Sequence, residues 1–217
     1  MRNEFMEAMD FRHACKLFDT DKKISDEDIR YILEAGRKSP SSFGTEPWKF
    51  LVITNDALKN EITSVCYDQV QIATSSHLVI ILASIEDVKI ESGIPEKRLA
   101  RWGKPQEELD FYMNFYKGHL AEMLKDDEKR YNFASLQTYL ASGNMLTAAA
   151  FIGVDSCPIG GFDGDAIAKI LDIDTSKQQV SLVIPFGYRI NAQSKQVRLD
   201  FDEVVEFIDA KDNNVPH

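Results

Sequence analysis

Ser39-Pro40-Ser41-Ser42-Phe43-Gly44-Thr45-Glu46-Pro47-Trp48 leads directly into the segment Lys49-Phe50-Leu51-Val52-Ile53-Thr54. The first part predicts the end of a helix and a loop, because the residue before a proline is biased out of the α region and proline fixes φ. Residues 48–54 form an apolar, β-rich run, which is typical of a strand buried on both faces. We therefore expect a helix, a loop and a buried strand in succession.

The helix expected before this loop has a capping signal at its start. Ser25 precedes Asp28 in a Ser-x-x-Asp arrangement, in which the hydroxyl accepts an orphan backbone N–H and the carboxylate suits the positive end of the helix. Apolar side chains then recur at helical spacing until Ser39-Pro40 ends the run. A helix from residue 26 to about residue 38 is predicted.

Further helix and strand signals alternate along the chain. Buried strands are expected at residues 77–84 and 180–186, and an amphipathic opening helix at residues 3–11. Additional helices are expected at residues 57–66, 107–125 and 131–153. This mixture predicts an α+β sandwich.

The composition predicts one domain that does not bind nucleic acid. The chain has 217 residues, 44% of them hydrophobic, which is enough for one buried core over residues 1–217. Its 35 acidic and 25 basic residues give a net charge of -10, which repels phosphate backbones and anionic lipid. Nucleic acid is therefore not an expected partner.

The cysteines and the apolar runs predict a cytoplasmic protein without a metal site. Cys15, Cys66 and Cys157 are far apart and lack the Cys-x-x-Cys spacing of a zinc site, so we expect reduced thiols. No apolar signal segment opens the chain, and the longest apolar run, residues 78–83, is too short to cross a bilayer. No membrane partner is expected.

Residues 86–127 do not follow the pattern of the rest of the chain. Residues 86–104 are charged, contain Pro95 and Gly103, and have poor periodicity, so a mobile surface excursion is expected there. The helix predicted after it carries aromatic side chains at residues 111–116. These aromatic residues either lie in the core or form a wall over a substrate.

Two pairs of cations are candidates for binding an anion. Arg12 and Lys16 are four residues apart near the N-terminus, and Lys195 and Arg198 stand close together in a chain that is acidic overall. Arginine suits oxyanions because its planar guanidinium donates two parallel hydrogen bonds. For Arg12 and Lys16 a solvated basic patch is the open alternative.

Three uncharged stretches are candidates for contacting a flat, polar ligand. Ser41 and Ser42 offer small hydroxyls, although a loop without a ligand is the simpler interpretation. Gly160 and Gly161 allow a backbone to approach a planar group closely, with a tight turn as the alternative. Gln71 carries an amide that both donates and accepts, unless it is an ordinary surface glutamine.

In their order and spacing, residues 12–16, 39–48, 158–163 and 195–198 together resemble the nitroreductase family of FMN-dependent NAD(P)H oxidoreductases. The resemblance extends over nearly the whole chain. Cys15 and the triplet Asp155-Ser156-Cys157 also resemble nitroreductases of ε-proteobacteria. The family resemblance assigns FMN binding to Arg12, His13, Ala14, Lys16, Pro40, Ser41, Ser42, Gly44, Gln71, Pro158, Ile159, Gly160, Gly161, Lys195 and Arg198.

The resemblance also implies which part of FMN each group contacts. Arg12 and His13 belong at the phosphate and ribityl end, while Lys16 lies at the N1/O2 edge of the ring and stabilises its reduced, anionic form. Gln71 lies at the pyrimidine edge. Residues 40–44 reach the flavin from the second subunit, and the main chain at the glycine pair donates to N5 and O4.

This chain departs from the family pattern at four positions, each of which removes a polar side chain or a charge. Ala14 stands in place of a serine, Gly44 of an asparagine, Gly160 of a glutamate and Gln196 of a lysine. Lys195, one residue away, is the substitute expected for that lysine.

The fold implied by the resemblance is a three-layer α+β sandwich, with a central mixed sheet and helices on both faces, in an intertwined homodimer. Two FMN molecules lie at the dimer interface, each held by both chains. The implied function is two-electron, ping-pong transfer from NADH or NADPH to nitroaromatics, quinones or similar small acceptors, with no catalytic side chain. Residues 86–127 are expected as a variable helical excursion near the substrate pocket.

Two other functions stay open at this point. The four departures are compatible with a protein that binds flavin for storage or sensing without turnover. A reductive dehalogenase of the same superfamily is the other alternative, and its lid would use charged residues of the excursion, namely Glu91, Glu96, Lys97 and Arg101.

Overall fold

The structure is a computed structural model that describes residues 2–208. Met1 and residues 209–217, which belong to the predicted single domain of residues 1–217, lie outside the described residues.

The described chain alternates helices with four strands. The strands are β1 (Trp48–Ile53), β2 (His77–Ser84), β3 (Asp155–Ser156) and β4 (Gln178–Gly187). The helices are α1 (Arg2–Phe11), α2 (Asp26–Arg37), α3 (Asp56–Ser64), α4 (Val70–Thr74), α5 (Ile94–Ala100), α6 (Gln106–Leu120), α7 (Asp127–Phe151), α8 (Gly164–Ile170) and α9 (Phe201–Val204). Short 3-10 turns occur at Ser42–Gly44 and Ile90–Ser92.

Local capping explains where the predicted helices begin. The Ser25 hydroxyl accepts the N–H of Asp28 at 3.1 Å, which confirms the capping signal of α2. Asn55 caps α3 in the same way, and Asp126 caps α7. The three strands and the five helices expected from the sequence are all present, β2 with the expected ends and the others with ends that differ by a few residues.

The sheet has the strand order β1-β2-β4-β3, and every neighbouring pair is antiparallel. Phe50 lies opposite Ile81, and Ser156 lies opposite Phe186. The mixed sheet expected from the resemblance is therefore antiparallel among the described strands. Its parallel component is an isolated bridge between Ala14 and Ser156, outside the named strands.

The sheet is covered by helices on both faces, so the predicted three-layer α+β architecture is confirmed. Every residue of β2 is buried, and the side chains alternate between two hydrophobic clusters. Val79 and Ile81 pack against residues of α2 and α7, whereas Leu78 and Ile80 pack against residues of α3, α4 and α8. A continuous apolar run is needed because the strand has no solvent face.

One expectation about burial is wrong. β1 was expected to be buried on both faces, but it is an edge strand that pairs only with β2 among the described strands, and Lys49 and Val52 are exposed. Residues 86–104, the first part of the expected helical excursion, contain a 3-10 turn and α5. Leu99 of α5 packs with Met113 and Tyr116 of α6, so this segment has a core of its own.

Candidate functional site

The segment after α1 runs alongside β3 and brings two of the sequence clusters together. Cys15 donates its N–H to the carbonyl of Ser156 at 3.1 Å, next to the parallel bridge between Ala14 and Ser156. Residues 12–16 and residues 157–161 therefore meet at the edge of the sheet that carries β3.

Lys16 and Gln71 converge on the thiol of Cys157. The Lys16 Nζ lies 3.7 Å from the Cys157 Sγ, and the Gln71 Nε2 lies 3.9 Å from the same sulfur. Gln71 is 4% exposed, so its interpretation as an ordinary surface glutamine is wrong. A buried amide beside an exposed ammonium is a polar arrangement that a hydrophobic core does not require.

The thiols in this region lie in surroundings that favour their protonated form. Burial raises the pKa of Cys157, an effect that the nearby Lys16 ammonium only partly offsets. Burial likewise raises the pKa of Cys15, whose Sγ donates to the carbonyl of Leu17 at 3.3 Å. Both side chains therefore stay protonated at neutral pH, and they act as packing groups.

Asp155 joins residues 12–16, the first of the four sequence clusters, to the end of β4. Its carboxylate lies 3.6 Å from the Nδ1 of His13 and 3.2 Å from the Nε of Arg189, and it also accepts the backbone N–H of Arg189 at 2.9 Å. The guanidinium of Arg189 stacks on the ring of Phe11 at 4.1 Å. Sequence reasoning missed both Asp155 and Arg189 as site residues, because an isolated acid and an isolated arginine carry no motif.

A cavity of about 170 Å³ lies between residues 13–17 and residues 189–194. Its lining carries the basic side chains of His13, Lys16 and Arg189, together with Asn191 and Ser194. Cations and small polar groups around one cavity suit an anionic or strongly polar ligand.

The stretch from Pro158 to Gly161 is divided between core and surface. Ile159 is 3% exposed, and both its N–H and its carbonyl pair with Val183, at 2.8 and 3.2 Å. Gly160 and Gly161 are exposed, and a Cβ added at Gly160 would meet no atom of residues 2–208 within 4 Å. Packing within one chain therefore does not require a glycine at position 160.

A strained turn lies against Gly161, and no residue pattern predicts it. Tyr67 and Asp68 are consecutive non-glycine residues with φ of 55° and 52°. The turn places the ring of Tyr67 3.6 Å from the position of a Cβ on Gly161, and the Nε2 of Gln69 donates to the Gly161 carbonyl at 2.9 Å. Such φ values cost about 1–3 kcal/mol each and cluster at functional sites.

The loop of residues 39–46 is fixed to α7, and its hydrogen bonds within the described chain do not reach the first cluster. Gln137 accepts the backbone N–H of Ser42 at 2.9 Å, and Asn144 donates to the Ser39 hydroxyl at 2.7 Å. The Ser41 hydroxyl accepts the N–H of Glu46 at 2.8 Å. Among the described residues, the second sequence cluster, residues 39–48, is therefore held by hydrogen bonds to α7 and within the loop. The other predicted site residues do not hold it.

Residues 86–127, the expected excursion, contact this loop at two points. Arg101 forms an ion pair with Glu46 at 3.0 Å, and the indole of Trp102 lies 3.4 Å from where a Cβ on Gly44 would stand. Trp102 in turn makes an edge contact with Tyr112, at 5.3 Å between ring centroids. Residues of the excursion therefore border the second cluster, while Tyr116, also in the aromatic segment, is a core residue.

The last predicted cations are exposed. Arg198 donates only to the carbonyl of Val197 within the described chain, and Lys195 extends into solvent. Gln196, between them, instead donates to carbonyls at the end of α1.

Two features are absent from the described residues. No helix within residues 2–208 is long and apolar enough to cross a membrane. No group of three or more His, Cys, Asp or Glu side chains in the same range is arranged to hold a metal ion.

Comparison with known proteins gives matches over most of the chain. The family model described as "Nitroreductase family" matches residues 9–188. A Bacillus subtilis strain 168 protein named "Putative NAD(P)H nitroreductase YfkO" is 39% identical over 219 residues, which cover 96% of this chain and 99% of that protein.

Solved structures match the fold over the same extent. A nitroreductase-like protein from Streptococcus mutans superimposes with a TM-score of 0.86 and 23% identity, over 96% of this chain and 100% of that one. An Exiguobacterium sibiricum 255-15 protein crystallised in complex with FMN gives a TM-score of 0.80 and 25% identity, over 94% and 97% of the two chains.

Proposed function

The chain belongs to the nitroreductase family, and on that premise we propose that it is an FMN-dependent oxidoreductase that transfers electron pairs from NADH or NADPH to nitroaromatics, quinones or similar small acceptors. The family membership confirms the resemblance found in the sequence. The similarity to ε-proteobacterial members stays a prediction.

The observation that carries the proposal is the meeting of Lys16, Gln71 and His13 around one edge of the sheet. FMN needs cations for its phosphate and for the N1/O2 side of its ring, and it needs an amide partner for the pyrimidine edge. The donor groups present at this edge fit those needs, since an ammonium, a buried amide and an imidazole lie within one region. The FMN-bound relative with the same fold supports the same conclusion.

Each group of the site then has a role. Arg12 and His13 bind the phosphate, with Asp155 beside the imidazole of His13 to orient it. Lys16 and Gln71 hold the pyrimidine edge of the ring. Bound FMN supplies the two-electron chemistry, so the protein supplies position and charge and no side chain acts as a proton donor or acceptor.

One chain holds only part of this site. The cavity of about 170 Å³ beside His13 and Lys16, which Gln71 does not line, is smaller than the roughly 300–1,000 Å³ usual for small-molecule pockets. The loop that carries Ser41 and Ser42 is fixed to α7, and α7 exposes apolar side chains, among them Leu136, Tyr139 and Leu140. An exposed apolar stripe of this kind marks an interface. A second copy of the chain covers it and brings its own loop to the flavin.

The test is the colour and redox behaviour of the purified protein. Stoichiometric FMN, bleached by NADH or NADPH in the absence of oxygen and reoxidised by a nitroaromatic or quinone, is the expected result. Bound FMN that neither nucleotide reduces would favour storage or sensing. A colourless, monomeric protein that does not bind added FMN would contradict the proposal.

Lys16→Met tests the assignment of the residues. Removing a charged hydrogen-bond donor should weaken FMN binding by about tenfold to a hundredfold and lower the reduction potential of the bound flavin. Lys22→Met is the matched control, because Lys22 is 66% exposed and pairs only with Asp19 among the described residues. Equal FMN affinity and potential in both variants would remove Lys16 from the site.

A further inference from the structure

The carboxyl end of α1 is capped by side chains from the far end of the described chain. Gln196 places its Nε2 within 3.0 Å of the carbonyl of Met9, 2.8 Å of that of Asp10 and 2.6 Å of that of Arg12. Gln193 adds a bond of 2.7 Å to the carbonyl of Asp10. The last four carbonyls of a helix have no partner inside it, so these amides satisfy groups that would otherwise need water.

The capping segment is itself braced against the sheet. Arg189 donates to the Oε1 of Gln193 at 2.9 Å, stacks on Phe11 and pairs with Asp155. The segment of residues 189–196 is thus held on one side by the end of β4 and on the other by the end of α1. The backbone of residues 12–16 is therefore held by β3 on one side and by this capping segment on the other.

Gln196 bonds to a residue that the proposed function places in the cofactor site. Its shortest contact is to the carbonyl of Arg12, and Gln193 bonds only to Asp10 in this region. An amide has two hydrogens, which are shared here among three oxygens, so both donor hydrogens of Gln196 are engaged. It therefore has no donor left for a ligand.

We propose that Gln196 is a positioning residue for the FMN phosphate, which acts by fixing the backbone from which Arg12 and His13 extend. The inference rests on the proposed function, because it concerns the cations assigned there to the phosphate. The lysine of the family pattern would bring a positive charge at this position. This chain has a neutral amide that contacts the main chain of α1 and residue 12.

A positioning role and a general structural role of Gln196 predict different effects on the binding of FMN and of riboflavin. FMN and riboflavin share the ring and the ribityl chain, and they differ in the phosphate alone. Misplaced Arg12 and His13 side chains should therefore weaken FMN binding and leave riboflavin binding unchanged. A general loosening of the site should weaken both.

The experiment measures the Kd of FMN and of riboflavin for the apo dimer by quenching of flavin fluorescence. Gln196→Met should weaken FMN about tenfold and riboflavin by less than about twofold. Gln193→Met is the matched control from the same segment, and it should weaken FMN less because it leaves the Arg12 carbonyl bonded. Gln196→Asn, whose amide is one methylene shorter, should show the same selective loss and replaces Q196M if that variant does not fold.

Three results would overturn the inference. Equal losses for FMN and riboflavin in Q196M would assign Gln196 a structural role, and equal FMN losses in Q196M and Q193M would remove its special link to Arg12. Unchanged FMN affinity in Q196M would remove it from the site. Failure of the unmodified protein to bind either flavin would instead refute the proposed function, and the inference with it.

Discussion

Ser42 donates its backbone N–H to the Oε1 of Gln137 at 2.9 Å, although 95 positions separate the two residues. Gln137 is 8% exposed on α7, and its Nε2 donates to the carbonyl of Phe133 at 3.2 Å. The buried amide of Gln137 therefore forms two hydrogen bonds at once, one with Ser42 and one with Phe133. The loop assigned to the partner's flavin is therefore held by the core helix that also exposes the proposed dimer interface.

Gln137→Leu should destabilise the fold and loosen this loop. The substitution leaves the Ser42 N–H without an acceptor, which costs about 1–3 kcal/mol in free energy of unfolding. Gln179→Leu is the matched control, since the Gln179 amide makes one exposed bond of 3.3 Å, and the change should stay within about 0.5 kcal/mol. Urea unfolding of the apo proteins measures both, and equal midpoints for the two variants would contradict the role of the Ser42 contact.

The elements that the sequence predicted well are those with complete local signals. β2 spans the eight residues expected for it, because its uninterrupted apolar run matches a strand that is buried along its whole length. The start of α2 is encoded within four residues by Ser25 and Asp28. The edge position of β1 was not predictable in this way, because it depends on the order of the strands.

The candidate site was predictable only where the residues formed family motifs. Lys16 and Gln71 were found by resemblance, and the structure brings them to one sulfur. Asp155, Arg189 and Gln137 act through partners far away in the sequence, and nothing local distinguishes them from surface residues. Gln196 was identified as a departure from the family pattern, but its contact with α1 became visible only in three dimensions.

Gly187→Ala should destabilise the end of β4. A Cβ at this position would lie 2.8 Å from Cδ1 and 3.0 Å from Cγ of Phe18, a residue that is 0% exposed and cannot move away. Overpacking of this kind costs about 1–3 kcal/mol. Gly118→Ala is the control, because a Cβ there meets nothing within 4 Å, and alanine in a helix interior should stabilise α6 by up to about 1 kcal/mol. Thermal unfolding should therefore shift in opposite directions, and shifts of the same sign would contradict the argument.

The free energy of unfolding should fall as the pH drops below about 6.5 because of His77. Burial lowers the pKa of His77, whose Nδ1 lies 3.0 Å from the Ser76 hydroxyl. The unfolded chain binds a proton to this side chain below about pH 6.5, whereas the folded chain keeps it neutral to lower pH, so acid favours unfolding by at most about 1.4 kcal/mol per pH unit.

His77→Gln should flatten this part of the pH profile, and His119→Gln, at an exposed position on α6, is the matched control. Carboxylates contribute at lower pH, as the pKa of Glu34 is held at about 2 by its hydrogen bond with Arg37. Urea unfolding at several pH values gives the slope. An unchanged slope in H77Q would assign the acid sensitivity to other groups.

Leu140→Glu should separate the chains and abolish tight FMN binding together. Leu140 is 51% exposed on α7, beside the equally exposed Tyr139, and a carboxylate buried in the proposed apolar interface should weaken the dimer by a hundredfold or more, about 3 kcal/mol. Thr175→Glu, which adds the same charge at an exposed turn outside α7, should leave the dimer intact. Sedimentation gives the oligomeric state, and flavin fluorescence gives the FMN affinity of the same samples.

Because the loop with Ser41 and Ser42 does not bond to residues 12–16 of its own chain, a monomer should bind FMN weakly even when it is fully folded. A folded monomer with undiminished FMN affinity would show that one chain carries a complete site.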